Sequence, residues 1–457
     1  MHTPPDLPNR SPRRELHRRR MRLTLWIGAT LLIVLGVGWA VFFTAKAAWA
    51  IVAMDLGMLA VGITIAVLTH FKRTRVAFFL LVISMFIVIC GICLLLDVPS
   101  LQAPRSTHNF LLVLAIAGLV FLRDDSPTMR YGVTGVCCVG FVVLASWPVG
   151  IETGYALPDG MRVWGTWVNN FFAALGIYAL VHVMVSDLAE HSAMEMALRK
   201  GLMRGEFFLT YQPQVTAQGQ VIGAEALLRW RHPKLGLVPP DEFIPLAEQT
   251  GLILPLGAWV LGTACTQLVD WSGKPGLDRL TLAVNVSVRQ FQQANFVQQV
   301  QSVIERTGAQ PRRLKLELTE SSLVHDIEDI ISKMGQLKAM GVGFSLDDFG
   351  TGYSSLNYLK RLPLDQLKID QSFVRDILTD SNDAAIARMV IGLGESLHFA
   401  VIAEGVETPG QQQFLVENGC RLFQGYLFSK PVPAQAFEAY VLATGSVTAQ
   451  EFVDSVA

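Results

Sequence analysis

Acidic and amide side chains recur late in short apolar segments of the C-terminal half of this 457-residue chain. In the segment "LKLELTE", leucines alternate with Lys315, Glu317 and Thr319, and a period of two is typical of a β-strand. Other strand-like segments also separate polar from large apolar residues. The residues in these segments that could do chemistry are Glu225, Asn285, Glu317, Asp347, Asp348, Lys368 and Glu404.

The elements that must position these residues follow a regular order. Strand-like segments alternate mostly with helical stretches over about 250 residues, which predicts an α/β fold of the (β/α)8 TIM-like barrel type. Only "QVTAQGQ" separates the first two segments, so the first strand is predicted to be antiparallel. The large apolar residues should face the outer helices, and the acids should meet at the C-terminal mouth. The eight segments are "FFLTYQP", "VIGAEALLRW", "LTLAVNVS", "LKLELTE", "VGFSLDDFG", "QLKID", "AVIAEGVE" and "LFQGYLF".

A ring of five carboxylates needs compensation. Two carboxylates 4 Å apart repel by about 4 kcal/mol at an effective dielectric of 20, and Lys368 with Arg229 cannot cancel several such pairs. Either some acids are protonated, or divalent cations bind. Because the candidate ligands are oxygens, with no His or Cys in these motifs, Mg²⁺ or Mn²⁺ is favoured over Zn²⁺. Two such ions sharing a carboxylate can hydrolyse phosphate esters, although any single acid could equally be a solvated or capping residue.

The motifs together resemble an EAL-domain cyclic di-GMP phosphodiesterase. The resemblance covers residues 196 to 442 and rests on "YQP", "EALLRW", "NVSVRQ", "ELTES", "DDFGTGYSSLNYLKRLPLDQLKID", "AEGVE" and "QGYLFSKP". It implies two Mg²⁺ or Mn²⁺ ions, with Asp347 as the bridging ligand and with Lys368, Glu404 and Glu225 as catalytic residues. The metal ligands that it implies are Glu225, Asn285, Glu317, Asp347, Asp348 and Glu404.

The same resemblance implies a substrate site and an activity. Glu320 would hold the loop 347 to 359, and Lys368 would position or help to deprotonate the attacking water. Hydrolysis of cyclic di-GMP to linear pGpG is expected, because no acid of the family pattern is missing. A receptor that binds cyclic di-GMP without chemistry is the alternative, and a transporter with a regulatory barrel is a third possibility. The implied substrate contacts are Gln212, Leu227, Arg229, Asp370, Glu407 and Gln424.

The N-terminal half has the composition of a membrane domain. The chain is 51% hydrophobic and 16% charged, and its net charge of -1 argues against a nucleic-acid polymer as partner. Crossing a bilayer requires about 20 apolar residues of helix. Six runs predict an all-α transmembrane domain, although 109 to 122 is short and could be re-entrant. The runs are 23 to 43, 49 to 69, 76 to 96, 109 to 122, 131 to 149 and 164 to 185.

Basic residues predict the orientation of these spans. The first 22 residues contain seven arginines and two acids, and basic loops face the cytoplasm. We therefore expect a bacterial inner-membrane protein with a cytoplasmic barrel. The amphipathic stretch 187 to 204 could pair two copies into a homodimer. The predicted boundaries are a basic terminus 1–22, a transmembrane sensory domain 23–185, a helical linker 186–204, the barrel 205–445 and a tail 446–457.

Overall fold

The chain forms two compact units, Met1–Ala193 and Met194–Ala457. The computed structural model describes residues 12–100, 103–122, 126–148, 150–151, 157–323, 326–350 and 359–446. The boundary between the units lies inside the predicted linker 186–204.

The N-terminal unit consists of apolar helices. Among its described residues, five helical stretches are long and apolar enough to cross a membrane, and Thr107–Phe121 is a shorter apolar stretch. These six correspond to the six predicted spans. The helices are α1 (Pro12–Thr44), α2 (Trp49–His70), α3 (Thr74–Leu95), α4 (Phe110–Phe121, after a 3-10 turn at Thr107–Asn109), α5 (Pro127–Ser146) and α6 (Asp159–Arg204).

Small residues bring α1 and α2 together. A Cβ atom on Gly62 would lie 3.0 Å from the carbonyl oxygen of Ala29, and one on Gly36 would lie 2.9 Å from that of Asp55. Close backbone approach at small residues is a common way for helices to pack in a membrane, where apolar side chains gain little by leaving lipid.

A buried polar cluster fixes the segment between α3 and α4. Asp97 Oδ2 accepts hydrogen bonds from the backbone N–H groups of Ser106 and Thr107, both at 2.9 Å. Arg162, near the start of α6, donates to the carbonyl oxygen of Ala103 at 2.8 Å. These bonds satisfy backbone groups that lie outside the α-helices.

The C-terminal unit is a closed eight-stranded barrel. Its strands run in the order β1-β9-β8-β7-β6-β5-β4-β2, and β1 also pairs with β2. β1 is antiparallel to both neighbours, while the other barrel strands are parallel, which confirms the predicted fold class. A short strand, β3, extends β2 as a hairpin outside the barrel. The strands are β1 (Phe207–Thr216), β2 (Val221–His232), β3 (Gly236–Val238), β4 (Thr281–Val286), β5 (Leu314–Thr319), β6 (Gly343–Phe349), β7 (Gln366–Ile369), β8 (Ala400–Ala403) and β9 (Leu422–Phe423).

Helices surround the barrel and bury the large apolar face of each strand. Leu316 of β5, Phe344 of β6 and Leu367 of β7 belong to one hydrophobic core with residues of these helices. The helices are α7 (Pro240–Thr250), α8 (Ile253–Ser272), α9 (Val288–Phe291), α10 (Phe296–Thr307), α11 (Ile327–Ala339), α12 (Gln371–Arg375), α13 (Ser381–Leu397), α14 (Pro409–Glu417) and α15 (Ala434–Thr444), with 3-10 turns at Pro311–Arg313 and Glu320–Leu323.

Helix α8 resembles a membrane span by length and composition alone. Its apolar residues, such as Leu261, Ala264 and Leu268, are nevertheless buried in the core of the barrel unit. A helix that is apolar on its protein-facing side needs no bilayer to cover it, so α8 belongs to the barrel.

The last part of α6 packs within the barrel unit. Met194 and Leu198 share a hydrophobic cluster with Phe207 and Trp230. A Cβ atom on Gly201 would lie 2.9 Å from Trp230 Nε1, so only glycine fits there without displacing the indole. The apolar face of residues 194–204 is therefore covered by the first two strands.

Candidate active site

The predicted acids lie on adjacent strands at the C-terminal end of the barrel. Asn285 of β4 pairs in register with Glu317 of β5, and Asp347 of β6 pairs with Thr319, one inward-facing position further along β5. Asn285 and Glu317 therefore lie at the same level, and Asp347 lies one inward-facing position closer to the rim. Glu225 lies on β2, Lys368 on β7, and Glu404 directly after β8.

Lys368 lies at the centre of the ring and contacts four carboxylates. Its Nζ is 2.7 Å from Glu317 Oε2, 3.3 Å from Asp347 Oδ1 and 3.6 Å from Glu225 Oε2, and it also contacts Glu404. Lys368 is fully buried. One ammonium group among four carboxylates leaves a formal charge of about -3, so the ring still requires positive charge or protons.

Two amide side chains also hold Glu225. Asn285 Nδ2 donates to Glu225 Oε1 at 2.6 Å, and Gln424 Nε2 donates to Oε2 at 2.6 Å. Gln424 also donates to Gln212 Oε1 and accepts from Gln214 Nε2. These bonds orient the carboxylate of Glu225. Asn285 donates through its side-chain nitrogen, so its side-chain oxygen takes no part in this contact.

Burial and mutual repulsion set the protonation of the ring. Burial raises the pKa of Glu317 to about 8 and that of Glu404 well above its usual range. Burial also acts on Glu225, but the charge of Lys368 and the amide hydrogen bonds outweigh it and lower its pKa. Likewise, burial lowers the pKa of Lys368, yet the surrounding carboxylates raise it well above normal, so the ammonium form persists.

The backbone is irregular at the end of β6, directly after Asp347. Asp348 has φ +55°, in the left-handed region that non-glycine residues seldom occupy, and the β6–β7 register shifts between Leu346 and Phe349. Asp348 donates its backbone N–H to Asp347 Oδ1 at 2.9 Å. Burial, followed by the charges of Asp347 and Asp370, raises the pKa of Asp348 to about 6. Strain of this kind is concentrated at functional sites.

The predicted substrate residues are only partly brought together. Gln212 and Gln424 adjoin Glu225 through the amide contacts above. Leu227 and Arg229 are half-buried further along β2. Arg229 Nη1 donates to the carbonyl oxygen of Leu228 at 2.8 Å.

The other predicted residues lie at the edge of the ring. Asp370 adjoins Asp348 and also caps α12 by accepting from Ser372 N–H at 2.9 Å. The side chain of Glu407 is exposed, and its backbone N–H donates to Gln411 Oε1 at 2.9 Å. Glu320 Oε2 accepts from Gly350 N–H at 3.2 Å, at the start of the predicted loop 347 to 359. Residues 351–358 of that loop lie outside the described part of the chain.

Several polar residues deeper in the barrel were given no role from the sequence, although the period-two alternation placed Lys315 and Ser345 on the inward face of their strands. Gln214, Ser345 and Gln366 are buried, and Lys315 is half-buried. Gln366 has the same strand parity as Lys368, and Ser345 the same as Asp347. The alternation already found in these segments was therefore sufficient to identify Gln366 and Ser345 as interior residues.

The donor set, which consists of carboxylate and amide oxygens, suits hard divalent cations. Within the described ranges, no group of three or more His, Cys, Asp or Glu residues is in position to hold a metal. Lys368 instead occupies the space between the carboxylates. Glu317 Oε1, in a side chain that is 1% exposed, has no hydrogen-bond partner among the described residues. A buried carboxylate oxygen without a partner, in an all-oxygen ring with excess negative charge, fits Mg²⁺ or Mn²⁺.

Comparison with known proteins agrees with this architecture. The family description "EAL domain" matches residues 195–431. The bifunctional diguanylate cyclase/cyclic di-GMP phosphodiesterase MucR of Pseudomonas aeruginosa is 48% identical over 245 residues, which are 53% of this chain and 36% of that protein. The cyclic di-GMP phosphodiesterase PdeR of Escherichia coli is 41% identical over 251 residues, which are 55% of this chain and 38% of that protein. The chain thus covers little more than a third of these relatives.

Solved structures share the barrel. The structure described as "PaMucR Phosphodiesterase, c-di-GMP complex" matches with a TM-score of 0.51 at 47% identity, covering 53% of this chain and 98% of that chain. The EAL enzyme Bd1971, in its cAMP and cyclic-di-GMP bound form, matches with a TM-score of 0.54 at 31% identity, covering 62% and 80%.

The fold and the ring define a class of protein: a closed barrel with one antiparallel strand and an acidic C-terminal rim. The EAL domain description accounts for more than half of the residues. The chain belongs to the EAL domain family.

Proposed function

We propose that this protein is a membrane-anchored phosphodiesterase that hydrolyses one phosphodiester bond of cyclic di-GMP and releases linear pGpG. The observation that carries the proposal is the ring itself: Lys368 contacts four carboxylates that come from four different strands or their ends, at one rim of a closed barrel. The names of MucR and PdeR, and the cyclic di-GMP complex of the MucR phosphodiesterase, support the same substrate.

Two Mg²⁺ or Mn²⁺ ions are the proposed cofactors. When bound, such a pair lowers the pKa of a water molecule and stabilises the entering and leaving oxygens of an in-line displacement. The unpartnered oxygen of Glu317 and the available oxygen of Asn285 support this proposal. The residues that would hold the ions are Glu225, Asn285, Glu317, Asp347, Asp348 and Glu404.

The protein's own residues orient this chemistry. Lys368 stays an ammonium group in this environment, so we assign it the role of a donor that positions the attacking water. The alternative of a general base would need a neutral amine, and the surrounding carboxylates oppose that form. Glu225 is held by two amide donors and so presents its carboxylate in one orientation.

The proposed substrate residues adjoin Glu225, continue along β2 or lie at the edge of the ring. Gln212 and Gln424 would contact the dinucleotide beside Glu225, and Arg229 with Leu227 would contact it further along β2. Asp370 and Glu407 complete the proposed set, with Glu320 steadying the loop that begins at Asp347. A phosphodiester with two guanine bases offers acceptors and donors that match amide, guanidinium and carboxylate side chains.

The N-terminal unit anchors the enzyme in the bacterial inner membrane, with the barrel in the cytoplasm. The apolar helices and the basic residues at their predicted cytoplasmic ends support this orientation. A homodimer that pairs through residues 187 to 204 would use the face carrying Met196 and Met203, which are 57% and 76% exposed, because Met194 and Leu198 are already buried.

Turnover by the full chain tests the proposal. The protein in lipid nanodiscs should convert cyclic di-GMP to pGpG with Mg²⁺ or Mn²⁺ and stop when a chelator is added. Glu225→Gln, which keeps the shape but removes the charge, should bind substrate and not convert it. Cyclic di-GMP binding without product under every metal condition would instead identify a non-catalytic receptor.

A further inference from the structure

A layer of buried polar side chains lies in the barrel interior below the rim. Glu317 of β5 pairs in register with Ser345 of β6, and Ser345 pairs with Gln366 of β7. The three side chains are 1%, 0% and 1% exposed. Because their strand neighbours Leu316, Leu318, Phe344, Leu346 and Leu367 face the outer core, these three point into the barrel and are lateral neighbours.

Each member of this layer has an unmatched polar atom. Within the described part of the chain, Glu317 Oε1, Ser345 Oγ and Gln366 Nε2 have no hydrogen-bond partner. A buried polar atom without a partner carries its full desolvation penalty. Ser345 is the short member between two long side chains at neighbouring positions of one layer.

The donors and acceptors around this space are complementary. Lys315 Nζ donates to Gln366 Oε1 at 2.7 Å, and an ammonium group can only donate. The oxygen of the Gln366 amide is therefore directed to Lys315, and its NH2 group is left as a donor. Glu317 Oε1 can only accept while the carboxylate is ionised, and the Ser345 hydroxyl can do either. The other oxygen of Glu317 already accepts from Lys368 at 2.7 Å.

We propose that a buried water molecule binds between Glu317, Ser345 and Gln366, and that Gln366 and Lys315 act through it as positioning residues for the Glu317 carboxylate. The water accepts from Gln366 Nε2, donates to Glu317 Oε1 and shares a hydrogen bond with Ser345 Oγ. Three polar partners are the usual number for a buried water. The positioning role rests on the proposed function, in which Glu317 is a metal ligand, whereas the water itself does not.

The consequence is a carboxylate that is fixed at both oxygens. Lys368 donates to Oε2, and the water donates to one lone pair of Oε1, which leaves the second lone pair of Oε1 for the proposed metal ion. Outer partners of metal ligands usually change metal affinity or activity by about 10–100-fold when removed. Lys315 acts only through Gln366, so its replacement should change metal affinity less than replacement of Gln366 does.

Metal affinity of variants tests the positioning role. The full chain in nanodiscs is titrated with Mn²⁺ by calorimetry, without substrate. Gln366→Leu, which removes the donor, and Ser345→Val, which fills the water site, should each raise the Mn²⁺ Kd by roughly tenfold or more. Lys315→Met should raise the Mn²⁺ Kd less than Gln366→Leu does. Lys315→Arg keeps a donor and should bring the Kd back to the wild-type value. Thr281→Val is the matched control, since it makes an isosteric polar-to-apolar change on β4 outside this layer.

Melting curves in chelator show which variants are folded, and only those with a cooperative transition are compared. An Mn²⁺ Kd within twofold of wild type for both Gln366→Leu and Ser345→Val would overturn the positioning role. A wild-type chain that binds no Mn²⁺ would overturn the proposed function together with that role. A crystal structure of the full chain tests the water separately. It should show an electron-density peak about 2.7–3.2 Å from Glu317 Oε1, Ser345 Oγ and Gln366 Nε2. The absence of such a peak would refute the buried water.

Discussion

Replacement of Lys368 by methionine tests how the carboxylate ring is balanced. The ammonium group lies within 3.6 Å of Glu317, Asp347 and Glu225 and also contacts Glu404. Methionine keeps much of the volume and removes the charge. In the metal-free protein the four carboxylates then face one another without any cation, and they must take up protons or repel.

The size of the effect follows from these distances. At an effective dielectric of 20, each ion pair at about 3–3.5 Å contributes on the order of 5 kcal/mol of attraction before desolvation. Removing one partner of a buried ion pair typically costs about 3–5 kcal/mol. For a domain of this size, 1 kcal/mol corresponds to roughly 2–4 °C in Tm. We therefore expect Lys368→Met to melt roughly 6–20 °C below wild type in chelator.

Divalent metal should reverse this loss while activity stays absent. A ligand that binds only the folded state at about 100 times its Kd adds about 2.7 kcal/mol of stability. Binding should be tighter in the variant, because Lys368 no longer competes with the ions for the carboxylates. The assay is thermal unfolding of the full chain in nanodiscs with chelator or with Mn²⁺, followed by a turnover measurement on the same samples.

Lys333→Met provides the matched control. Lys333 is also buried, pairs with Asp329 at 2.7 Å and donates to the carbonyl oxygen of Phe291 at 3.0 Å, outside the ring. Its replacement should lower Tm equally with and without Mn²⁺. If Mn²⁺ raises the Tm of Lys368→Met no more than that of wild type, the carboxylates are not shared between Lys368 and metal, and the reasoning is refuted.

Three further outcomes are expected. Burial raises the pKa of Glu317 to about 8, so the folded metal-free protein retains a proton that the unfolded chain releases near pH 4.3. The Tm in chelator should therefore fall as the pH rises toward 8, and it should fall less for Glu317→Gln. A wild-type Tm that does not change with pH would contradict this prediction. A Cβ atom on Gly425 would lie 2.1 Å from the carbonyl oxygen of Val406. Gly425→Ala should therefore lower the free energy of unfolding in denaturant by roughly 1–3 kcal/mol, and it should weaken Mn²⁺ binding by displacing Gln424. An unchanged free energy of unfolding together with an unchanged Mn²⁺ affinity would count against this prediction. Glu320→Ala should lower kcat/KM by about tenfold or more. Glu320→Gln should lower it less, because an amide oxygen can still accept a hydrogen bond from the Gly350 N–H. Equal losses in the two variants would show that this hydrogen bond is not the cause.

The fold was predictable because its main signals are local. Period-two alternation in segments such as "LKLELTE" identified the barrel strands, and the short "QVTAQGQ" connection correctly predicted the antiparallel first strand. The residues at which the strands end were harder to predict from the sequence. The segment "LFQGYLF" forms a strand only at Leu422–Phe423, because the following residues instead bond to Val406 and turn back.

The finer geometry of the ring depends on structure that no short segment encodes. Alternation places Asp347 and Asp348 on opposite faces, and only the left-handed backbone of Asp348 changes that expectation. The central position of Lys368 follows from the stagger between strands, which involves the whole barrel. The helix α6 continues from Asp159 to Arg204, so the change in composition near residue 186 marks a change of surroundings and not the end of a helix.

The location of bound Mn²⁺ tests the central claim most directly. Crystals of the full chain grown with Mn²⁺ and an unreactive cyclic di-GMP analogue are measured at the manganese absorption edge. We predict two anomalous peaks about 3.5–4 Å apart, both among Glu225, Asn285, Glu317, Asp347, Asp348 and Glu404. No peak at the rim, or peaks only at other carboxylates, would contradict the assignment of this ring as a two-metal hydrolytic centre.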